Sequence, residues 1–428
     1  MKVVLVYLPH PYLKQPDSQI PLGLLYLASL LEQDGVEVAV KNYSSLPTHK
    51  AIEDLPHADM YGITVTSLEL LRANRFAYLI KEKYPNSQIG FGGPGTITDE
   101  FVDDSVVDFI CKGEGELAIK KIISDLKSNC LSRVYIGEPV LDLDSLPLPA
   151  RHLLKDNLGG NVFAYNKNYY EGGSTLLLTS RGCPHHCSFC ANPKLTEFGG
   201  KKVRFRTVES VRREIVQIMD LYKIKQFRIS DDHFTTNKKR MAKMCEMLSS
   251  LGVVWRISAR TKFFDYETAK LLYDGGCREV SFGVESFDDN VLKVLNKGVA
   301  AAENAEGLEA AHKAGLMARA LFMVRTPGQT AETIPINIEW LKKVPFNLAA
   351  CTMFTPMPGS DIWYHPDKYG VEILSRNLDD YNMYFYDSHG TRELKDIIRL
   401  KGRDMQEVNE ESLRFKNYLE DLGKLNVG

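Results

Sequence analysis

The sequence predicts an α/β protein in which two regions alternate strands with helices, followed by a small, mainly helical C-terminal region. Three observations support this prediction. Short apolar runs alternate with segments of helical period over residues 1–140, the alternation resumes after Ser174 with six more strand segments, and polar or glycine-rich residues follow most strands. Strands that alternate with helices indicate parallel sheets, whose reactive residues collect where the strands end.

The first region, residues 1–140, is predicted to form a doubly wound, Rossmann-like sheet. Its predicted elements are strands at Val3–Leu8, Val36–Lys41, Met60–Thr64, Gln88–Phe91 and Val107–Cys111, with helices at Leu22–Leu31 and Leu68–Tyr84. Ligands of such sheets bind beyond the carboxyl ends of the strands, which directs attention to the loops that follow them.

Residues 141–172 are predicted to connect the two regions. Leu alternates with Asp and Pro from Pro139 to Pro149, a pattern that favours an extended path over a helix. This segment can be an ordered strap or a flexible linker, and the sequence does not separate the two. A second domain is then expected over residues 173–360 and a C-terminal extension over residues 361–428.

The second domain is predicted to contain six strands that deliver the chain into polar loops. These strands are Thr175–Thr179, Gln226–Ser230, Val254–Ala259, Glu279–Phe282, Ala318–Val324 and Leu348–Phe354. The first strand leads directly into a cysteine-rich run, and others end near Asp231, Arg260 and Glu285. If the strands are parallel, these side chains lie at one edge of the sheet.

The cysteine-rich run, residues 181–193, places Cys183, Cys187 and Cys190 at the spacing C-x3-C-x2-C. Thiolates are the usual ligands of iron–sulfur clusters, and three of them would leave one iron of a four-iron cluster open. Zinc is the alternative, although His185 and His186 sit inside the loop, where a short tether makes tetrahedral ligation awkward. A disulfide framework is not expected in a 428-residue chain with eight cysteines whose start is predicted to be a buried strand.

Composition excludes several classes of function. The formal charge of −2 provides no electrostatic footprint for nucleic acid, so no nucleic-acid partner is expected. No apolar stretch approaches the ~20 residues that cross a bilayer. A cytoplasmic location is expected, because an iron–sulfur site needs free thiols. Three further cysteines, Cys245, Cys277 and Cys351, have no partner at metal-ligand spacing and are predicted to pack as small apolar residues.

With Phe189 as the aromatic residue before the third cysteine, the run resembles the radical S-adenosylmethionine (SAM) superfamily. The resemblance implies a [4Fe–4S] cluster held by Cys183, Cys187 and Cys190, with SAM on the open iron and Phe189 beside its adenine. It also implies that the six strands form a partial (β/α)6 barrel.

The same resemblance implies a SAM site at the strand ends. Ser230 and Asp231 would receive the amino group, Glu285 and Ser286 would contact the ribose or methionine portion, and Arg260 would pair with the carboxylate. Asp231, Glu285 and Arg260 are therefore the catalytic candidates. Alternatively, Asp231 or its neighbour Asp232 caps a helix, and Arg260 forms a buried ion pair with Glu285.

Four segments of the first region resemble the cobalamin-binding domain found ahead of many radical SAM barrels. They are Pro21–Tyr26, Gly62–Thr66, Phe91–Pro94 and Cys111–Glu116. The Asp-x-His-x-x-Gly signature for an axial histidine is absent, and His49 is predicted to be a surface residue. The resemblance implies a cobalamin held by backbone groups and shape, with the following residues around it: Thr66, Ser67, Gly92, Gly93 and Gly95. The alternative is a domain that serves only as a scaffold.

The implied function is a radical reaction on a small-molecule or natural-product substrate. A 5′-deoxyadenosyl radical would remove hydrogen from an unactivated carbon, with an external donor such as flavodoxin or ferredoxin supplying the electron. Cobalamin-dependent C-methylation is the preferred outcome; dehydration, epimerisation or cyclisation without cobalamin is the alternative, with His233, Glu285 or His389 as acid or base. A redox-sensing module is a third hypothesis. Residues 379–389 are predicted to be either a wall of the substrate pocket or a helix that packs on the barrel.

Overall fold

The computed structural model describes residues 1–8, 20–154, 173–199, 203–381, 383, 385–387, 390, 391 and 395–425. Two six-stranded parallel sheets dominate this part of the chain. The first is built from strands between residues 2 and 137, and the second from strands between residues 175 and 353. The boundaries proposed at residues 140, 172 and 360 remain predictions.

The first sheet has the strand order β2-β1-β3-β4-β5-β6 and is parallel throughout. Its elements are β1 (Lys2–Tyr7), α1 (Leu22–Gln33), β2 (Glu37–Asn42), α2 (Thr48–Asp54), β3 (Met60–Thr64), α3 (Leu70–Lys83), β4 (Gln88–Gly92), β5 (Phe109–Gly113), α4 (Gly115–Lys127) and β6 (Val134–Gly137). The central strand β1 is apolar on both faces because helices cover both, so Val3, Val4 and Leu5 are almost completely buried. The doubly wound fold predicted for this region is confirmed.

The second sheet has the order β14-β13-β12-β11-β10-β7 and is also parallel throughout. Its elements are β7 (Thr175–Leu177), β8 (Ser180–Arg181), α5 (Asn192–Gly199), β9 (Arg204–Phe205), α6 (Val208–Tyr222), β10 (Gln226–Ile229), α7 (Lys238–Ser250), β11 (Val254–Ala259), α8 (Tyr266–Asp274), β12 (Cys277–Glu285), α9 (Asp289–Val294), α10 (Ala301–Lys313), β13 (Met317–Val324), α11 (Thr333–Leu341) and β14 (Leu348–Met353). Strands β7 and β14 are the two edges and do not pair with each other. The predicted partial (β/α)6 barrel is thus confirmed as an open one.

The two faces of the second sheet differ in chemistry. One face is apolar and packs into a continuous core with the surrounding helices through residues such as Phe227, Trp255 and Phe282. On β13 the alternate residues, beginning with Met317, are only partly buried. Since side chains of a strand alternate between its faces, these residues line the concave side of the barrel.

The connector is ordered where the structure describes it. Arg151, which is 2% exposed, donates hydrogen bonds to Thr175 Oγ1, at 3.0 Å, and to the Leu176 carbonyl, at 2.8 Å. Its guanidinium also pairs with the buried Glu214 of α6, at 2.7 Å. Arg206 binds the second oxygen of the same carboxylate. Residues up to 154 therefore form a strap that is fastened to the barrel.

We expect Glu214→Ala to lower the free energy of unfolding by about 3–5 kcal/mol, because it leaves two buried arginines without their counter-charge. Urea denaturation followed by circular dichroism measures this effect. The matched control is Glu209→Ala, an exposed carboxylate in the first turn of the same helix, which should cost at most about 1 kcal/mol. Equal losses from the two substitutions would contradict the role assigned to Glu214.

The C-terminal region combines short strands with one long helix. Its elements are α12 (Asp361–Tyr364), β15 (Val371–Ile373), β16 (Tyr386–Asp387), β17 (Gly390–Thr391), β18 (Ile398–Leu400) and α13 (Met405–Asp421). The helix predicted from Glu393 begins only at Met405, because Ile398–Leu400 pairs with β15 as an antiparallel strand. The described part of residues 379–389 is not an α-helix. Within the described residues, no helix is both long and apolar enough to cross a membrane.

Candidate cofactor and active site

A cavity of about 520 Å³ lies where the carboxyl ends of the first sheet face the start of the barrel. On one side it is lined by strand ends and loops of the first sheet, including Tyr7, Gly92 and Gly93. On the other side it is lined by Gly182 of the cysteine run and by Ser230. The cavity thus adjoins both of the regions that the sequence singled out for cofactors.

The glycines at the carboxyl end of β4 and in the turn after it divide into two groups. A Cβ added to Gly92 would meet no atom within 4 Å, so this residue faces open space in the cavity. Gly93 has φ +90°, a conformation that L residues avoid. Gly95, by contrast, packs against the backbone of Thr66 and Ser67. A Cβ added to Gly95 would lie only 2.7 Å from the Thr66 carbonyl carbon. Gly92 and Gly93 line the cavity, whereas Thr66, Ser67 and Gly95 shape the turn behind it.

The cavity fits a cofactor that is held by shape. Its first-sheet wall is largely apolar, with Leu5, Leu24 and Phe109 among the lining residues, and the glycines permit close approach of backbone to a ligand. No histidine is among the described residues that line it. His49 is exposed in the first turn of α2, in agreement with its predicted surface position. Cobalamin would therefore be held here without an axial histidine from the described residues.

The cysteine loop lies between β8 and α5 and is anchored to the barrel. The Ser188 amide donates to the Leu295 carbonyl, at 3.0 Å, and Asn296 Nδ2 donates to the His186 carbonyl, at 2.6 Å. Cys187 is buried, while Cys183 and Cys190 are partly exposed. Burial raises the pKa of the Cys190 thiol to about 11.

The three thiols of the loop are the donor type that an iron–sulfur cluster takes, and each would bind a different iron of a four-iron cluster. Three such ligands would leave the fourth iron open. Cys183, Cys187 and Cys190 would hold that cluster.

Arg260 lies directly beside the cysteine loop. Its Nη1 is 3.4 Å from Cys187 Sγ, and its Nη2 donates to the Lys297 carbonyl. It does not pair with Glu285, so the predicted alternative of an Arg260–Glu285 ion pair is wrong. The pKa of His185 is lowered to about 4, first by burial and then by Arg260. The location is compatible with the proposed pairing of Arg260 with the SAM carboxylate.

Glu285 pairs instead with Lys297, at 2.7 Å between Oε1 and Nζ. Both side chains are nearly buried, and Lys297 Nζ also lies 5.7 Å from the centre of the Phe189 ring. Glu285 has φ +61°, a strained conformation for a residue with a side chain, and such strain concentrates at functional sites. Lys297 was not predicted: its partner is twelve residues earlier in the chain, and no local pattern marks it.

Asp231 is fully engaged, through its carboxylate, by neighbouring residues of the barrel. Its carboxylate accepts hydrogen bonds from the Thr179 amide, at 2.6 Å, the Thr179 hydroxyl, at 2.5 Å, and the Ser180 hydroxyl, at 2.6 Å. It is 4% exposed, and burial raises its pKa. Asp231 therefore positions the strand that leads into the cysteine loop, and the catalytic role predicted for it gains no support from this geometry.

Ser286 is engaged in a similar way. It is completely buried, its hydroxyl contacts Asn337 Oδ1 at 3.1 Å, and it accepts a hydrogen bond from the Asp288 amide at 3.0 Å. Its location therefore does not match the predicted contact with SAM. Ser230, by contrast, lines the cavity.

We expect Asp231→Ala to lower the free energy of unfolding by about 3 kcal/mol, because it leaves buried donors of Thr179 and Ser180 unsatisfied. Asp232→Ala is the matched control, since this exposed neighbour accepts one hydrogen bond, from the Gly182 amide. It should cost less than about 1 kcal/mol. Chemical denaturation of the two variants makes the comparison, and equal stabilities would refute the positioning role.

The cavity edge carries a network of charges that joins the two domains. Arg181, at the start of the cysteine run, pairs with Glu116 at 2.5 Å and with Glu114 at 3.2 Å. Arg204 donates to the same Glu114, at 3.0 Å. The sequence singled out the Cys111–Glu116 segment without assigning these carboxylates a role. The network could have been predicted from the alternating acidic residues Glu114 and Glu116, which follow a strand, together with the arginines near the cysteines.

Other predicted residues lie nearby or outside the described part. The His233 ring is 5.2 Å from that of His185, beside the cysteine loop. His389 lies outside the described residues. Cys245, Cys277 and Cys351 are all buried, which confirms that they pack as apolar residues.

Comparison with known proteins identifies both domains. Residues 177–341 match the model of the radical SAM superfamily, and residues 16–123 match that of the B12 binding domain. A radical SAM domain uses a [4Fe–4S] cluster and SAM, and a B12 domain takes cobalamin, so the three predicted cofactors are confirmed.

Related chains extend over most of the sequence. An uncharacterised methyltransferase of Pyrococcus horikoshii is 30% identical over 369 residues, which cover 80% of this chain and 77% of the relative. The cytidylyl-2-hydroxyethylphosphonate methyltransferase of Streptomyces wedmorensis is 25% identical over 419 residues, 81% of this chain and 78% of its own.

The structure of the radical SAM methyltransferase TsrM from Kitasatospora setae, which has cobalamin and a [4Fe–4S] cluster bound, superposes with a TM-score of 0.71. The match covers 96% of this chain and 90% of that one, at 15% identity, and so supports the fold. Taken with the cavity shared by the two sheets, these matches show that the chain is an enzyme of the radical SAM superfamily, in the class whose radical SAM domain follows a B12-binding domain.

Proposed function

We propose that this protein is a cobalamin-dependent radical SAM methyltransferase that attaches a methyl group to an unactivated carbon of a small molecule. The observation that supports this most is the shared cavity, which is bounded by Gly92 and Gly93 on the cobalamin side and by Gly182 and Ser230 on the cluster side. A scaffold domain would have no need of open space at its strand ends that faces the cysteine loop. Relatives named as methyltransferases cover most of this chain, which also favours the proposal.

When bound, the cluster and SAM supply the radical that removes a hydrogen atom from the substrate, and cobalamin supplies the methyl group. The chain's own residues position these reactants and exclude water. Cys183, Cys187 and Cys190 would hold the cluster, Phe189 would lie beside the adenine, and Ser230 would bind the SAM amino group. Radical SAM enzymes receive their electron from an external donor, and a flavodoxin or ferredoxin is the donor proposed here.

Arg260 and the Glu285–Lys297 pair complete the SAM site in this proposal. Arg260 offers a fork of donors to the SAM carboxylate, an arrangement well suited to that group. Glu285 would contact the ribose or methionine portion of SAM, and Lys297, at 2.7 Å, fixes the orientation of its carboxylate. Both groups are nearly buried, so their electrostatic interactions are stronger than they would be in water.

The test is anaerobic. The protein is reconstituted with iron and sulfide, incubated with hydroxocobalamin and desalted; cobalt is then quantified, and 5′-deoxyadenosine is measured after addition of SAM and a strong reductant. Near-stoichiometric cobalt together with 5′-deoxyadenosine is the expected result. Formation of 5′-deoxyadenosine without retained cobalt would overturn the methyltransferase proposal and favour a cobalamin-independent radical reaction. Retained cobalt without SAM cleavage would instead favour a binding or sensing module.

A further inference from the structure

The concave face of the barrel sheet carries charges that the cofactor site does not use. Arg228 of β10, Arg256 of β11 and Glu279 of β12 are neighbours across three parallel strands. Arg319 of β13 pairs in register with Ser281, two residues beyond Glu279 on the same face of β12. The residues adjacent to the three arginines in sequence belong to the apolar core on the opposite face of the sheet. The three arginines and Glu279 thus share the concave face, which forms the floor of the barrel.

Among these four side chains, Arg228 stands apart from the ion pair. Glu279 pairs with Arg256, at 2.6 Å. Arg228 has no hydrogen-bond or ion-pair partner within the part of the chain that the structure describes. The pKa of Arg228 is lowered to about 10, first by burial and then by Arg256 and Arg319. A partly buried guanidinium that lies beside other guanidinium groups and makes no ion pair is arranged for an anion that comes from outside.

The floor is open to the inside of the barrel. Ser258, two residues beyond Arg256 on the central strand β11, is exposed, although central strands are normally covered. Arg228 and Arg319 are themselves partly exposed. From Arg256 to Arg260, which contacts Cys187, the chain advances four residues, or about 13 Å at the usual strand rise. A ligand that reaches the floor would therefore extend along the lumen toward the cluster loop.

We propose that Arg228, Arg256 and Arg319 bind an oxyanion group of the substrate, a phosphate or a carboxylate, at the floor of the barrel. This inference rests on the proposed function, since it names the class of molecule that is methylated. The anchored group would hold the substrate with its reacting carbon roughly 13 Å away, toward the barrel mouth. Guanidinium forks suit both oxyanions because they offer paired donors in one plane.

A purely structural role accounts less well for this arrangement. Arg256 and Glu279 would satisfy each other without any further cation. Arg228 feels Glu279 only across the intervening Arg256, with which that carboxylate is paired, so its desolvation is incompletely offset. A desolvated charge that is incompletely paired costs stability. Removing its charge is therefore expected to leave the fold intact and to raise its thermal midpoint, whereas removal of a structural arginine lowers it.

Equilibrium dialysis of the reconstituted, full-length protein against radiolabelled inorganic phosphate, and separately against labelled acetate, tests the proposal at low ionic strength. Arg228→Met keeps the length of the side chain and removes the charge. Ser258→Phe fills the lumen without changing any charge. The matched control is Arg212→Met, which removes one positive charge from the exposed surface of α6 on the same barrel.

The expected result is saturable binding of at least one of the two anions by the wild type and by Arg212→Met, weakened at least tenfold in Arg228→Met and in Ser258→Phe. The anion that binds more tightly identifies the group as phosphate or carboxylate. No saturable binding of either anion, or equal binding by Arg228→Met and the wild type, would overturn the inference. Because dialysis needs neither cobalamin nor SAM cleavage, failure of the methyltransferase proposal leaves this result unaffected.

Discussion

Replacing Cys187 by alanine is expected to abolish the brown iron–sulfur absorbance of the reconstituted protein and to reduce 5′-deoxyadenosine formation to background. The reason is that three thiolates are the minimum set in this loop, and loss of one leaves a second iron without a protein ligand. The fold should survive, because removing one buried sulfur atom costs only about 1 kcal/mol. Visible absorbance, iron content and circular dichroism together separate loss of the cluster from loss of the fold.

The control for this experiment is Cys245→Ala. Cys245 is also buried, on α7 in the helical layer, and burial raises the pKa of its thiol to about 12. Its replacement should leave iron content and SAM cleavage at wild-type levels. If Cys187→Ala keeps its chromophore while Cys245→Ala loses it, the assignment of the cluster to the loop between β8 and α5 is wrong.

Gly92→Leu is expected to prevent retention of cobalamin while the cluster still assembles. An added Cβ has no atom within 4 Å, so the new side chain projects into the cavity rather than into the protein. Overlap of a side chain with a bound ligand costs about 1–3 kcal/mol, by analogy with overpacked cores. Since about 1.4 kcal/mol corresponds to a tenfold change in affinity, the affinity for cobalamin should fall about fivefold to a hundredfold, and the cobalt retained after desalting should fall with it.

Lys121→Leu is the matched control, because it places the same side chain on the exposed surface of α4, away from the cavity. It should retain as much cobalt as the wild type. Iron content must be unchanged in both variants, since neither residue belongs to the cysteine loop. Full cobalt retention by Gly92→Leu would place the corrinoid elsewhere and would remove the main structural support for the methyltransferase proposal.

Local patterns were sufficient to predict most of the fold. The strands Met60–Thr64 and Val254–Ala259 have the predicted bounds, because short runs rich in β-branched and aromatic residues mark strands. Strand β6 was missed because only four residues form it, and two of them are exposed. The C-terminal helix was predicted too long, because Ile398–Leu400 depends on a distant partner, β15, to become a strand.

In the candidate site, too, features set by local sequence could be predicted, whereas features that depend on distant partners could not. The cluster ligands could be predicted because all three lie within eight residues, so their spacing alone carries the information. Asp231 and Ser286 were placed correctly at strand ends but given roles their hydrogen bonds do not support, since the sequence does not show which partners a side chain meets. Lys297 and the ion pairs of Arg181 were not predicted, because their partners come from other elements.

The sequence by itself determined the fold class, the two-domain order and the cysteine loop, since hydrophobic period and ligand spacing are properties of short segments. Only the tertiary structure decided that the glycine turn after β4 and the cysteine loop share one cavity. It also decided that Arg228, Arg256 and Arg319 gather on one face. Each of these arginines lies between apolar neighbours in its strand, so the local sequence does not show that the arginines share a site. Parallel pairing of the strands across the sheet brings them together.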